Sequence, residues 1–137
     1  MLCLLTVLSA SGQVQRVATV NPSSPGKTSY IDVYDYDYVD VRPQFPGGER
    51  GLINFINDTR EYPYDAYVNR IQGRVLCSFI VHPDGKISHI EVLRGAADET
   101  LNEEALRVIS LMPRWSPGKL GNAKVYVRCV LPIPFRL

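Results

Sequence analysis

The chain has 137 residues, 45% of them hydrophobic and 21% charged, with ten prolines and ten glycines. That is room for one domain with a leader and a connecting segment, and the balance excludes fibrous and wholly disordered classes. Fifteen basic against fourteen acidic side chains leave a net charge of +1, and no Lys/Arg run interleaves with aromatics, so nucleic acid is excluded as an expected partner, as is an anionic membrane surface.

Met1 to Leu8 is almost wholly apolar, and Ser9, Ala10, Ser11 and Gly12 are small, which reads as a secretory signal over residues 1–12, either unusually short or truncated at its start. So short an apolar run cannot cross a bilayer, which needs about twenty residues. Cys3 precedes the small-residue stretch, so lipid anchoring is not expected. Residues 13–40 read as a flexible, partly extended linker. Asn21-Pro22-Ser23-Ser24-Pro25-Gly26 has no periodicity, and Tyr30 to Val41 alternates aromatic or β-branched residues with Asp32, Asp35, Asp37 and Asp40. That pattern suits an edge segment better than a core strand.

The globular part is expected over residues 41–137. A turn at Pro43-Gln44-Phe45-Pro46-Gly47-Gly48 leads into a helix over Glu49 to Asn57, with Leu52, Ile53, Phe55 and Ile56 on one stripe. Pro63 opens a second short helix through Ala66 and Val68. Gly73 to Val81 alternates as a strand, with Val75, Cys77, Phe79 and Val81 on one face. Asp84-Gly85 turns the chain into a return strand over Ile87 to Arg94, with Ile90 and Val92 in the core. Thr100 and Glu103 form a capping box for a helix carrying Leu101, Ala105, Val108, Ile109 and Met112, which Pro113 ends. Trp115 is read as a core anchor for the following turn. The last strand runs from Lys124 to Leu131, and Pro132 and Pro134 beyond it fit only an edge or a strand's end.

These elements predict an α+β fold, a three-stranded antiparallel sheet with two main helices packed on one face. A strand-helix-strand crossover puts the first hairpin strand in the middle and leaves one flank of the last strand without a partner. Cys77 and Cys129 share the inward parity, so they either pair in an oxidising compartment or serve as two small buried hydrophobes.

Several segments, in order, resemble one family: Pro43-Gln44-Phe45-Pro46-Gly47-Gly48-Glu49, Tyr62-Pro63, Ile71-Gln72-Gly73-Arg74-Val75, Pro83-Asp84-Gly85, Val92-Leu93-Arg94-Gly95, Glu103-Glu104-Ala105-Leu106-Arg107, Met112-Pro113-Arg114-Trp115-Ser116-Pro117-Gly118-Lys119, and Leu131-Pro132-Ile133-Pro134-Phe135-Arg136-Leu137. Over residues 41–137 the chain is similar to the TonB C-terminal domain, in the form of Bacteroidetes-type envelopes. The resemblance implies a periplasmic, non-enzymatic module in energy-coupled transport. Such a module adds a short receptor segment, the TonB box of a TonB-dependent outer-membrane receptor, as an extra strand. By the same match the partner-binding positions would be Glu61, Tyr62 and Pro63 on the approach, and Lys124, Val125, Tyr126, Val127, Arg128 and Cys129 on the last strand. Tyr62 also reads as an aromatic packed on the sheet while Pro63 starts a helix.

A complete transducer of that family carries a membrane helix and a long spacer. The expectation is therefore either an upstream anchor that engages an inner-membrane ExbB/ExbD-type motor, or a stand-alone envelope protein that self-associates, for instance as a homodimer. A third reading has the acidic Tyr30 to Asp40 segment folding back onto the vacant flank. No catalytic, cofactor or metal residues are expected. His82 and His89 lack a nucleophile or carboxylate at a suggestive spacing, and Glu103 and Glu104 face different directions on their helix.

Overall fold

The computed structural model describes residues 14–20, 23 and 26–137. The chain runs β1 (Val14–Val20), β2 (Thr28–Asp35), α1 (Gly48–Thr59), α2 (Tyr64–Val68), β3 (Gly73–Val81), β4 (Ile87–Arg94), α3 (Glu99–Ser110), β5 (Gly118–Leu120) and β6 (Ala123–Phe135). The signal expected over residues 1–12 lies outside the described residues. Among those described, no helix is long and apolar enough to cross a membrane.

The expected antiparallel trio is present: β3 pairs with β4 through the Asp84-Gly85 turn, and with β6 from Gly73↔Phe135 to Val81↔Val127. The expectation of three strands is nevertheless corrected. The sheet has six strands and is mixed, in the order β1-β2-β6-β3-β4 with β5 on β6. The additions come from segments read as linker and turn. Within the expected linker, β1 and β2 form an antiparallel hairpin with Val14 opposite Tyr34 and Val20 opposite Thr28. Strand β2 then lies parallel to β6. The physical reason is visible in Val33, which is 1% exposed while Asp32 on the next position faces solvent, so the segment is a strand with one side to bury.

One face of the sheet carries the core. Val75, Cys77, Phe79 and Val81 of β3 and Cys129, Leu131, Ile133 and Phe135 of β6 meet Leu52 and Ile56 of α1 and Leu101, Ala105, Val108 and Ile109 of α3. The apolar stripe predicted for α1 divides: Leu52 and Ile56 are buried, but Ile53 is 50% exposed. Ile90 and Val92, placed in the core by periodicity, are partly buried against it. Trp115 is the anchor expected, packed edge-on to Phe45 at 5.7 Å and tilted on Phe79 at 5.3 Å. It is locked from behind by the β3–β4 turn, where the Trp115 N–H donates to the Gly85 carbonyl at 2.8 Å.

The cap of α3 differs from the capping box expected. Asp98 is the N-cap, accepting the Thr100 N–H at 2.8 Å and the Thr100 hydroxyl at 2.6 Å. Starting the helix one residue before Thr100 places Thr100 inside the first turn, so its side chain serves Asp98, and Glu103 is exposed.

Candidate functional site

The site predicted from sequence has two parts, and the structure separates them along β6. Tyr62 packs edge-on against Phe135, at the far end of the strand, with ring centroids 5.7 Å apart. At about 3.3 Å per strand residue, Cys129 lies about 20 Å back from Phe135, and Lys124 farther still. Glu61, Tyr62 and Pro63 therefore do not meet Lys124 to Cys129.

The flank of β6 expected to lack a partner is paired. β2 takes it over Val33 opposite Tyr126, Tyr34 opposite Val127 and Asp35 opposite Arg128. The start of β6 also pairs with β5, Gly118 opposite Val125 and Lys119 opposite Lys124. The expectation of an open flank there is corrected; the fold-back of the Tyr30 to Asp40 segment is what occupies it. Sequence reading missed β5 because Gly118 to Leu120 is too short for periodicity. Gly118 has the close approach that glycine serves, since a Cβ there would stand 2.6 Å from Val127 Cγ2.

Side-chain contacts fix the hairpin and the segment that follows it. Arg128 donates to Gln15 Oε1 at 3.3 Å, and Asp40 Oδ2 accepts the Gly121 N–H at 2.5 Å. Arg42 pairs with Asp37 at 2.6 Å and lies over the Tyr36 ring at 4.9 Å. On β6, the Tyr126 ring meets the His82 imidazole at 4.9 Å. Ser88 Oγ bridges His82 Nε2 at 2.6 Å and His89 Nδ1 at 2.7 Å, and His89 Nε2 reaches the Ala18 carbonyl of β1 at 3.5 Å. Partial burial lowers the His82 pKa below its ordinary value; Asp84 opposes that shift, and His89 and Lys86 add to it.

Val127 is fully buried and Cys129 nearly so, so their side chains pack into the core of the sheet. Cys77 lies opposite Leu131 and Cys129 opposite Phe79, and both thiols are free of any disulfide. Burial pushes the Cys77 thiol up to about 11 and the Cys129 thiol upward too, so neither is a ready nucleophile. Among the described residues, no three His, Cys, Asp or Glu side chains group as a metal site.

On the approach, the Tyr62 hydroxyl donates to the Ile71 carbonyl. Pro63 is the N-cap of α2, its carbonyl accepting the Tyr67 N–H at 2.9 Å. Glu61 contributes its main chain inward, its N–H donating to Glu104 Oε2 at 2.7 Å, while its side chain is 83% exposed. Glu104 itself was not singled out as a site. The signal was present in its spacing to Arg107, which donates to both its oxygens at 2.8 and 2.7 Å and continues to the Thr59 carbonyl at 2.8 Å.

Residues 58–137 match the family described as Gram-negative bacterial TonB protein C-terminal. Protein TonB of Helicobacter pylori strain J99 is 29% identical over 93 residues, which cover 65% of this chain and 30% of that protein. Its counterpart in strain 26695 is 29% identical over 93 residues, covering 65% of this chain and 29% of that protein. The chain thus spans about a third or less of the length of these relatives. The NMR solution structure of Helicobacter pylori TonB-CTD is similar, with a TM-score of 0.50 at 28% identity, over 63% of this chain and 77% of that one. With its β3–β4 hairpin, α3 and β6 inside the matched residues, the chain belongs to the TonB C-terminal family.

Proposed function

We propose that this domain works in energy-coupled transport across the Gram-negative envelope, from the periplasmic side. It captures the TonB-box segment of an outer-membrane receptor as an added strand on β6, between Lys124 and Cys129. The N-terminal hairpin holds the same flank at rest and leaves when the receptor segment arrives. An upstream membrane anchor would couple the domain to an ExbB/ExbD-type motor.

The observation that supports this reading is the parallel pairing of β2 with β6 over Val33↔Tyr126, Tyr34↔Val127 and Asp35↔Arg128. It is strand addition carried out by the chain on itself, at the positions the family resemblance assigns to the receptor. Each backbone hydrogen bond contributes a net of about 1 kcal/mol, so so short a ladder, with Val33 buried beside it, is worth a few kcal/mol and is displaceable. Exchange of one strand for another also leaves no buried main-chain group orphaned.

The test compares the full chain with a chain beginning at Asp37, which keeps the Asp37–Arg42 pair and buried Val39. Both are titrated with TonB-box peptides while the amides of Lys124 to Cys129 are followed. The shortened chain should bind about tenfold or more tightly, since removal of about 1.4 kcal/mol of competing contact is a factor of ten. Equal affinities, or shifts elsewhere, defeat the proposal.

A self-associating envelope protein is the second reading. It is favoured by the position of β1 at the end of the strand order, where its outer edge has no strand partner among the described residues. Size-exclusion over a wide concentration range separates the two: a dimer that β1 substitutions dissolve favours self-association.

A further inference from the structure

Past the residues that β2 pairs, the second half of β6 borders a different surface. α1 and the end of β6 enclose a groove of about 250 Å³. Its apolar floor comes from Ile53 and Ile56 of α1 and from Pro132 and Pro134 of β6. Arg60, Arg74 and Arg136 also line it, against a single acidic side chain, Glu49. A chain of net charge +1 thus concentrates three guanidiniums at one small apolar site.

We propose that this groove docks a polypeptide segment of a partner protein in which a carboxylate side chain stands next to apolar side chains. Arg60 is already fixed for the task. Its guanidinium donates to the Pro134 carbonyl at 2.8 Å and to Asn57 Oδ1 at 3.1 Å, and it stands over the Phe135 ring at 5.9 Å. A guanidinium so held loses little further freedom when it meets a carboxylate. Arg74 and Arg136 are exposed at the rim and supply the long-range attraction. Ile53, half exposed on an otherwise well-buried helix face, gives the apolar side chains somewhere to go.

The same geometry excludes strand addition here. Pro132 and Pro134 have no N–H to offer, and the Pro134 carbonyl is taken by Arg60. Side chains, not a main-chain ladder, must hold the ligand. The volume argues for a peptide as well. Small-molecule pockets run to about 300–1,000 Å³, so this groove admits one or two side chains of a segment that continues along the surface. It is independent of the capture proposed at Lys124 to Cys129, because none of the groove's lining residues belongs to that stretch.

The test uses the full chain, isotope-labelled, with three probes: an acetylated Leu-Asp-Leu-Glu peptide amide, its Leu-Asn-Leu-Gln counterpart, and octanoate. The acidic peptide should give saturable shifts at Ile53, Ile56 and Asn57 and at the Arg60 side-chain Nε. Its affinity should fall about tenfold in the Arg74→Gln, Arg136→Gln double variant, the loss of about 1.4 kcal/mol of charge-assisted contact. Ile53→Asp, at an exposed position that leaves the core intact, should abolish binding with the rest of the spectrum unchanged. Equal binding of the amide counterpart or of octanoate overturns the proposal. So do shifts confined to Lys124–Cys129, and so do groove shifts in the peptide-free protein that grow with its own concentration, which would make a second copy the occupant.

Discussion

Glu104, on the third helix, accepts the main-chain N–H of Glu61 at 2.7 Å, and so ties the approach to α2 onto the helix layer. Its side chain is 11% exposed, and Arg107 binds the same carboxylate. Burial alone would push this carboxyl up; the hydrogen bonds from Arg107 and Glu61, with the nearby Arg107 and Arg60 charges, outweigh it and hold the pKa below the ordinary value. A depressed carboxyl stabilises the fold above its unfolded-state pKa, and the contribution fades as pH falls through its folded-state value. Glu104→Gln should therefore cost about 1.5–3 kcal/mol at pH 7, the range for hydrogen bonds to a charged group. Urea unfolding at neutral and at strongly acidic pH checks both the cost and its disappearance in acid.

Tyr62→Phe separates packing from recognition. The ring stays edge-on to Phe135 and Tyr67, while the bond to the Ile71 carbonyl is lost. Stability should drop by about 1 kcal/mol, and the affinity for receptor peptides should stay as it was. A Phe variant of normal stability but weakened peptide binding would make Tyr62 a contact residue instead.

Gly85 sits at φ 91°, and a Cβ there would come within 2.2 Å of the Trp115 carbonyl oxygen. The clash is with backbone, so no rotamer change relieves it. Gly85→Ala should destabilise the domain by about 2–4 kcal/mol, combining left-handed strain with displacement of the Trp115 turn. Thermal unfolding followed by the fluorescence of Trp115, the single tryptophan, reads it directly.

The pKa of His82 is lowered in the folded chain. The unfolded chain then binds a proton first as pH falls, so stability is lost between the ordinary histidine value and the lower folded-state value. Because the same imidazole contacts Tyr126 and shares Ser88 with His89, which reaches Ala18, the hairpin should loosen over the same pH window. Hydrogen exchange of the Val33 to Asp35 amides at pH 7.5 and 5.5 should show the loosening, and His82→Gln should flatten it.

Sequence pattern carried the matched core well. The alternation of Val75, Cys77, Phe79 and Val81, the Asp84-Gly85 turn, and the spacing of Leu101, Ala105 and Val108 each have one local solution, and the structure takes it. β2 was harder to read because its only deeply buried side chain is Val33, and its partner Tyr126 lies far along the sequence. A strand that buries one residue has almost no periodic signal, and its aspartates argue for solvent. For the same reason the flank of β6 looked vacant. The division of the site had no local signature either, since it depends on which end of a thirteen-residue strand Tyr62 meets. The Glu104–Arg107 pair could be read from spacing, but its third partner, the Glu61 N–H, could not.

Pro132 and Pro134 carry one more consequence. β6 is the longest strand of the sheet, and much of it is apolar. A segment of that kind, released in a partly unfolded chain, is the sort from which fibrils grow by stacking identical copies. Two imino acids in its second half deny such a stack two of its donors, so the end of the strand beyond Leu131 is poorly suited to seed amyloid.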